Sequence, residues 1–240
     1  MEIIIHGTGA MGRLLKEIAE GYEDIKITGF ADELTDETGD IIIDFSHYSR
    51  LDTLLDYSRS KRIPLVIATT GYSDETFRKI EETAKEIPVL LSSNMSLGVN
   101  LLNDILEKIV PVLYGNYDIE VMEKHHNKKI DSPSGTAKTL VETIERSCTE
   151  EMREQYGREG NRKRERNEIG IHSLRGGTIV GEHSVLFCGE DEIIEIKHTA
   201  MSKKIFAMGA LKAARFLVGK EAGLYTMKDI FKNQEERWQI

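Results

Sequence analysis

The sequence predicts an α/β protein in two parts: a doubly wound parallel domain, then an α+β domain with a mixed, open sheet. Three observations carry this. Short β-branched runs alternate with helix-length segments over about the first 95 residues, as repeated βαβ units require. One of these runs, Ile41 to Phe45, is apolar but for Asp44, which suits a strand covered on both faces of a parallel sheet. Farther on, strand-like segments at 168–174, 178–187 and 192–198 follow one another without helices, so they belong to a separate mixed or antiparallel sheet.

Taken in order, the run Glu2 to His6 is a strand ended by Gly7, and Leu14, Leu15 and Ile18 mark the helix after it. Residues 25–31 form a second strand, 41–45 a third, 64–68 a fourth and 88–91 a fifth, with helices over 50–60 and 74–86. Leu97 to Leu113 then reads as one long apolar-striped helix. Tyr117 to Glu123 alternates, with Tyr117, Ile119 and Val121 on one face and Asp118 and Glu120 on the other. That pattern is a strand covered on one side. Ala137 to Cys148 is helical, and the final apolar helix, Ile205 to Val218, returns to the first domain. The expected domains are 1–95 with 210–240 for the first, and 96–209 for the second.

Bulk properties narrow the function. A net charge of −9 argues against nucleic-acid binding, whose footprint is basic. The local basic run Arg158 to Arg166 is interleaved with Glu159 and Glu165, and reads as a solvated face. Cys148 and Cys188 have neither metal-type spacing nor a disulfide framework, so reduced thiols and no metal are expected. Met1 leads directly into a strand with no secretory signal, and no apolar segment reaches membrane-spanning length. The chain is expected to be cytoplasmic, with no membrane partner.

Gly7-Thr8-Gly9-Ala10-Met11-Gly12 fits G-x-G-x-x-G where the pattern has meaning, after a strand and opening a helix. Glycine permits the tight turn and lets backbone N–H groups approach a pyrophosphate at a helix N-terminus. Asp32 lies just after the second strand, where a carboxylate can accept from a ribose 2′-hydroxyl. Glu33 follows it, so a 2′-phosphate would meet two carboxylates. NADH is therefore electrostatically easier than NADPH, although Arg13 or Lys16 can compensate from the loop side. Ala68, Thr69 and Thr70 follow the fourth strand, and Ser92, Ser93, Asn94 and Met95 the fifth. Ligands of open α/β sheets sit outside the carboxyl ends of strands, so these residues are cofactor contacts.

The second constellation runs from Glu123 to Ala137. His125 and His126 close the alternating strand, and neighbours on a strand point to opposite faces, so the two rings do different work. Histidine suits proton transfer at neutral pH. Lys129 can donate a charged hydrogen bond or act as a general acid; Asp131 holds the loop and Pro133 stiffens it. Ser134-Gly135-Thr136 begins a helix, where backbone N–H groups and the dipole favour a carboxylate or phosphate.

At these residues the sequence resembles the dihydrodipicolinate reductase family, also called 4-hydroxy-tetrahydrodipicolinate reductases, of bacterial lysine and diaminopimelate biosynthesis. The signature E-x-H-H-x-x-K-x-D-x-P-S-G-T-A is matched from Glu123 to Ala137. Gly170 to Gly177, Val180 to His183, Phe206 to Leu211, Asp44-Phe45-Ser46 and Ala68 to Gly71 also look like family segments, so the likeness covers nearly the whole chain. The resemblance implies a Rossmann-type domain, a substrate domain whose open sheet makes a homotetramer, and NAD(P)H as cofactor. It implies hydride transfer to a cyclic, dicarboxylated nitrogen heterocycle, giving tetrahydrodipicolinate. It assigns His125 as proton donor or acceptor, Lys129 as proton donor, and His126, Gly135 and Thr136 to substrate; the cofactor lies on Gly7 to Gly12, Asp32, Ala68 to Thr70 and Ser92 to Met95.

Four departures from the family pattern stand out. The nucleotide loop is one residue shorter than G-x-x-G-x-M-G, and the stretch between Asp32 and Ile41 is too short for a helix. Tyr48 stands where proline is common after the D-F-[ST] strand, and Lys203 replaces a frequent arginine. Two alternatives remain at this level: a related aspartate-type dehydrogenase, and a non-catalytic NAD(H)-sensing protein.

Overall fold

The computed structural model describes residues 1–235. In chain order the first elements are β1 (Glu2–His6), α1 (Ala10–Ala19), β2 (Lys26–Ala31), β3 (Ile41–Asp44), α2 (Leu51–Lys61), β4 (Leu65–Ile67), α3 (Asp74–Ala84), β5 (Pro88–Leu91) and α4 (Leu97–Leu113). They continue with β6 (Asp118–His125), α5 (Gly135–Ser147), β7 (Arg153–Tyr156), β8 (Glu168–Arg175), β9 (Gly181–Cys188) and β10 (Ile193–Ala200). The last are α6 (Lys204–Leu217), β11 (Gly223–Tyr225) and α7 (Met227–Glu235). Two compact units result: Met1–Leu97 with the segment from Lys204 onward, and Gly98–Lys203.

The first unit is a parallel sheet of order β11-β5-β4-β3-β1-β2. Its central strands β1, β3, β4 and β5 are mostly apolar because both faces are covered. Ile3, Ile5, Ile41, Ile43, Val66 and Leu90 pack with Leu15 and Ala19 of α1 and Ala207, Ala210 and Leu211 of α6. Ile4, Ile42, Leu65, Ile67 and Val89 pack on the other side with Leu54 and Leu55 of α2 and Ile80 of α3. Each fully buried aliphatic side chain contributes about 1.5–3 kcal/mol. From β1 the chain goes by α1 to β2 on one side, then resumes at β3 on the other. The strand order therefore reverses between β1 and β3, and such a switch point opens a crevice at the carboxyl ends. No helix separates β2 from β3, as the short stretch after Asp32 leads one to expect.

The sequence reading ends the second domain at residue 209, which would cut α6. The helix instead lies whole in the first unit, because Ala207, Gly209 and Ala210 are all buried. A Cβ on Gly209 would fall 1.7 Å from the carbonyl oxygen of Met95, so α6 touches the turn after β5 backbone to backbone. Residues 236–240 of the expected first domain lie outside the described residues.

The second unit is a mixed sheet of order β10-β9-β6-β8-β7. Strand β6 runs parallel to β8 and antiparallel to β9. Leu102 and Leu106 of α4 and Leu140, Val141 and Ile144 of α5 cover one face, meeting Ile119, Val121, Ile169, Ile171, Val185 and Phe187. The opposite face carries Glu120, Lys124, His172, Glu182 and Lys197, joined in ion pairs.

The basic run Arg158 to Arg166 is solvated as expected, exposed at every position but the half-buried Arg164, and it also makes ion pairs. Arg158 pairs with Glu120 at 2.8 Å and Glu168 at 3.1 Å, while Arg162 reaches Glu168 at 2.5 Å. Arg164 pairs with Asp118 at 2.8 Å and Glu120 at 3.2 Å. The sheet carboxylates, Glu168 above all with no exposed surface, need cationic partners, and this loop supplies them. Glu120 also lies over Gly170, where a Cβ would fall 1.7 Å from Oε2. Both cysteines are free. Among the described residues no helix is long and apolar enough to cross a membrane.

Candidate active site

In the first unit the three glycines of the turn after β1 have three separate reasons. Gly7 has φ +106°, and a Cβ there would fall 2.6 Å from the carbonyl carbon of Phe45. Gly12 sits so close beneath the turn that its Cβ would fall 1.8 Å from the Gly7 carbonyl oxygen. Gly9, the N-cap of α1, has nothing within 4 Å of its Cβ position and no side chain to cap the helix. A tight bend, close packing and an open approach to helix N–H groups are what a bound pyrophosphate needs, so these residues fit a dinucleotide.

Asp32 is held against this turn. Its carboxylate accepts from the Thr8 backbone N–H at 2.9 Å and the Thr8 hydroxyl at 2.6 Å. Those bonds, the hydroxyl's first, hold its carboxyl below the usual carboxylate range. Its carbonyl accepts from His6 Nε2 at 3.0 Å and from Arg50 Nη1. Arg50, whose guanidinium is 3.9 Å from the Asp32 carboxylate, is a site residue the sequence reading missed. Arg13 approaches from the loop side, donating from Nε to the Thr8 carbonyl at 2.9 Å.

The other expected contacts follow β4 and β5. Thr69 donates to Asp44 Oδ2 at 2.7 Å, and Thr70 is exposed. Ala68 and Met11 pack partly against the core. Ser92 donates to the Asn94 carbonyl at 2.8 Å, and Asn94 Oδ1 accepts from the Ser96 N–H at 2.9 Å, which tightens the turn. Ser93 is exposed. The Met95 side chain is buried in the core, so any contact it makes with a cofactor is through its backbone.

In the second unit the site grows from β6. Its alternation carries past Val121, so Glu123 and His125 lie on the buried face. Glu123, with no exposed surface, accepts from four donors: His125 Nδ1 at 2.6 Å, both Arg175 Nη atoms at 2.7 and 2.6 Å, and the Ser134 N–H at 3.1 Å. Burial pushes this carboxyl up, but the bonds from Arg175 and His125 outweigh it and hold the group at about 2. Glu123 thereby fixes the His125 ring by Nδ1 and leaves Nε2 for other chemistry. A Cβ on Gly181 would fall 3.0 Å from that Nε2, so glycine keeps its surroundings clear.

Glu123 also joins this histidine to the start of α5 through Ser134. The Ser134 hydroxyl caps the helix, accepting from the Ala137 N–H at 3.2 Å, and lies 2.8 Å from His183 Nε2. His183, edge-on to His125 at 5.2 Å between ring centroids, is pushed down to about 4 by burial and by the nearby charge of His125. It is neutral at physiological pH. Beyond the cap, Gly135 is exposed with nothing within 4 Å of its Cβ position, and Thr136 follows in the same turn.

Lys129 donates to Asp131 Oδ1 at 2.8 Å, and this bond holds the Asp131 carboxyl below its ordinary range. Arg175 reaches the Asp131 carbonyl at 2.7 Å, so the lysine loop and the histidine share one guanidinium. His126 is half-buried just past β6. Sequence reasoning missed Glu123, Arg175 and His183 as site residues. Glu123 had a readable signal, since it lies two residues before His125 and so on the same strand face. Arg175 and His183 lay inside family-like segments, but only strand register sets them opposite His125 and Glu123.

Residues 21–95 match the family model for the dihydrodipicolinate reductase N-terminus, and residues 98–231 that for its C-terminus. The chain is 54% identical over 230 residues to the 4-hydroxy-tetrahydrodipicolinate reductase of Brachyspira hyodysenteriae, covering 96% of this chain and 99% of that one. It is 47% identical over 249 residues to the Clostridium novyi reductase, covering 97% and 99%. Among solved structures, a dipicolinate-bound dihydrodipicolinate reductase from Paenisporosarcina sp. TG-14 shares the fold, with TM-score 0.76, 18% identity and coverage of 94% and 97%.

Proposed function

The chain belongs to the dihydrodipicolinate reductase family, and on that premise we propose how its residues divide the work. It reduces 4-hydroxy-tetrahydrodipicolinate to tetrahydrodipicolinate with NAD(P)H, a step of diaminopimelate and lysine biosynthesis. An aspartate-type dehydrogenase or a non-catalytic NAD(H) sensor is not favoured by these relatives. The ring loses its 4-hydroxyl as water, the nicotinamide when bound supplies a hydride, and the chain must supply a proton to match it.

The observation that carries the reading is Glu123, which bonds both His125 and the first turn of α5. One substrate carboxylate lies on the Gly135 and Thr136 backbone, where N–H groups and dipole favour an anion. Lys129, released from Asp131, adds a charged hydrogen bond to the dianionic ring. His126 binds from the neighbouring position. His125 exchanges a proton through Nε2, with Lys129 as proton donor beside it. The dipicolinate bound by the Paenisporosarcina relative supports a dicarboxylated ring as the ligand class.

The nucleotide lies on Gly7 to Gly12, Asp32, Ala68 to Thr70 and Ser92 to Met95. Asp32 and Glu33 favour NADH, because a 2′-phosphate would meet both carboxylates; Arg13 and Arg50 soften that preference. The open face of the second sheet, and β10 exposed along most of its length, suit self-association into a tetramer. The two free thiols suit a reducing, cytoplasmic setting. The test is an assay following nucleotide absorbance with 4-hydroxy-tetrahydrodipicolinate, run with each nucleotide. NADH oxidation is expected, with the higher kcat/KM for NADH. Absence of oxidation with either nucleotide overturns the reading.

A further inference from the structure

We infer that His6 is a positioning residue for the nucleotide, acting through Asp32 and Thr69. The inference rests on the reading that Asp32 and the Ala68 to Thr70 turn contact the cofactor. His6 closes β1 opposite Ala31 and Asp44, and is 2% exposed. A histidine at the end of so apolar a strand must find partners for both ring nitrogens or carry a desolvation cost. Nε2 lies 3.0 Å from the Asp32 carbonyl oxygen and Nδ1 lies 2.8 Å from Asp44 Oδ1.

Hydrogen-bond accounting then fixes the ring. A carbonyl only accepts, so Nε2 carries a hydrogen. Asp44, 1% exposed, already accepts from the Ser46 N–H at 3.0 Å on Oδ1 and from the Thr69 hydroxyl at 2.7 Å on Oδ2. With those two donors in place, one hydrogen lies between Nδ1 and Oδ1 and joins the ring to the Asp44 carboxyl group. His6 thus bridges two segments, bonded to the Asp32 carbonyl at Nε2 and to buried Asp44 at Nδ1. It pins the loop after β2 by the Asp32 carbonyl and, through Asp44, the turn after β4 by Thr69. Arg50 donates to the same carbonyl from Nη1. With Thr8 on its carboxylate, Asp32 is held at both ends before any ribose arrives. That preorganisation lowers the ordering cost of binding.

The test is steady-state kinetics of the full chain with His6→Ala and His6→Gln. Alanine removes both ring nitrogens, and glutamine offers its N–H groups from one nitrogen, which cannot span the two sides of an imidazole. The nucleotide KM is expected to rise about tenfold in both, the size of one or two lost buried hydrogen bonds. Meanwhile kcat at saturating nucleotide and the substrate KM should stay within about twofold. An unchanged nucleotide KM with only a lowered Tm overturns the inference. Asp32→Ala run alongside separates the two levels: if it leaves the nucleotide KM unchanged, the cofactor reading fails. If it raises KM while the His6 variants do not, the inference alone fails. Histidine ¹⁵N NMR of the unliganded wild-type protein supplies a check independent of variant folding: His6 Nε2 should carry a hydrogen, and an unprotonated Nε2 overturns the clamp.

Discussion

The turn from Gly7 to Gly12 and the turn from Ser134 to Thr136 each open a helix with N–H groups of the kind that favour an anion, yet they are made rigid by different means. The first is shaped by backbone against backbone. Gly12 lies under the Gly7 carbonyl, Gly7 lies under Phe45, and the helix has no side-chain cap. The second is shaped by side chains from four separate segments. Ser134 caps its helix, Glu123 takes the Ser134 N–H, Arg175 grips Glu123, and His183 meets the Ser134 hydroxyl. A nucleotide needs a fixed cradle and little else from its turn. A reduction that consumes a proton needs the cradle tied to a titratable group, and Glu123 is that tie.

The comparison breaks most severely at Arg175. Replacing it by alanine leaves the Glu123 carboxylate buried without its guanidinium, a loss of about 3–5 kcal/mol. Urea denaturation of the full chain checks this, and a change near zero would mean the second cradle does not depend on its side-chain network.

Acid should find the same weakness. Glu123 is held at about 2 against an ordinary value of 4.5. Its contribution, on the order of 3 kcal/mol, is present above the ordinary value and is lost as pH falls toward 2. His183, pushed down to about 4, acts in the same direction from 6.5 downward, since the unfolded chain binds the proton first. Denaturation midpoints should therefore fall on acidification, and Glu123→Gln should flatten the lower part of that fall. An equally steep acid limb in this variant would place the loss elsewhere.

In the backbone-built cradle the expected cost is smaller. Gly12→Ala forces a methyl group against the Gly7 carbonyl, costing about 1–3 kcal/mol of stability, and should weaken nucleotide binding while leaving the substrate KM alone. Titration with NADH followed by fluorescence measures the first effect, and substrate saturation curves the second. The smallest change is expected from Arg50→Gln, which should lower kcat/KM for NADPH relative to NADH by about threefold to tenfold, the scale of one partly exposed charge contact. An equal loss for both nucleotides would make Arg50 a clamp on Asp32 alone.

The two cradles also differ in how far the sequence reveals them. The first is nearly all local: six residues and a carboxylate one strand later carry it, and the β-branched runs around it bound the strands closely. What escaped there was Arg50, eighteen positions past Asp32, which returns to it only because β2 and β3 flank β1. The second cradle is legible in its signature and in α4, whose apolar stripe has clear limits. Its supports are not, since Arg175 and His183 are placed by register between strands 50 or more residues apart. Strand β7 reads Arg-Glu-Gln-Tyr at an exposed edge, so it has neither apolar alternation nor β-branched residues to announce it. Strand β11 is three residues with a glycine, too short for any period.

We propose that proton delivery belongs to the second cradle, through His125 and Lys129. Its most direct measurement is kcat for Lys129→Ala and His125→Ala at saturating nucleotide and substrate. Each should fall by about 10²–10⁴-fold, the range for a lost general acid or base, with the nucleotide KM little changed. Turnover at the wild-type level in both variants would contradict it.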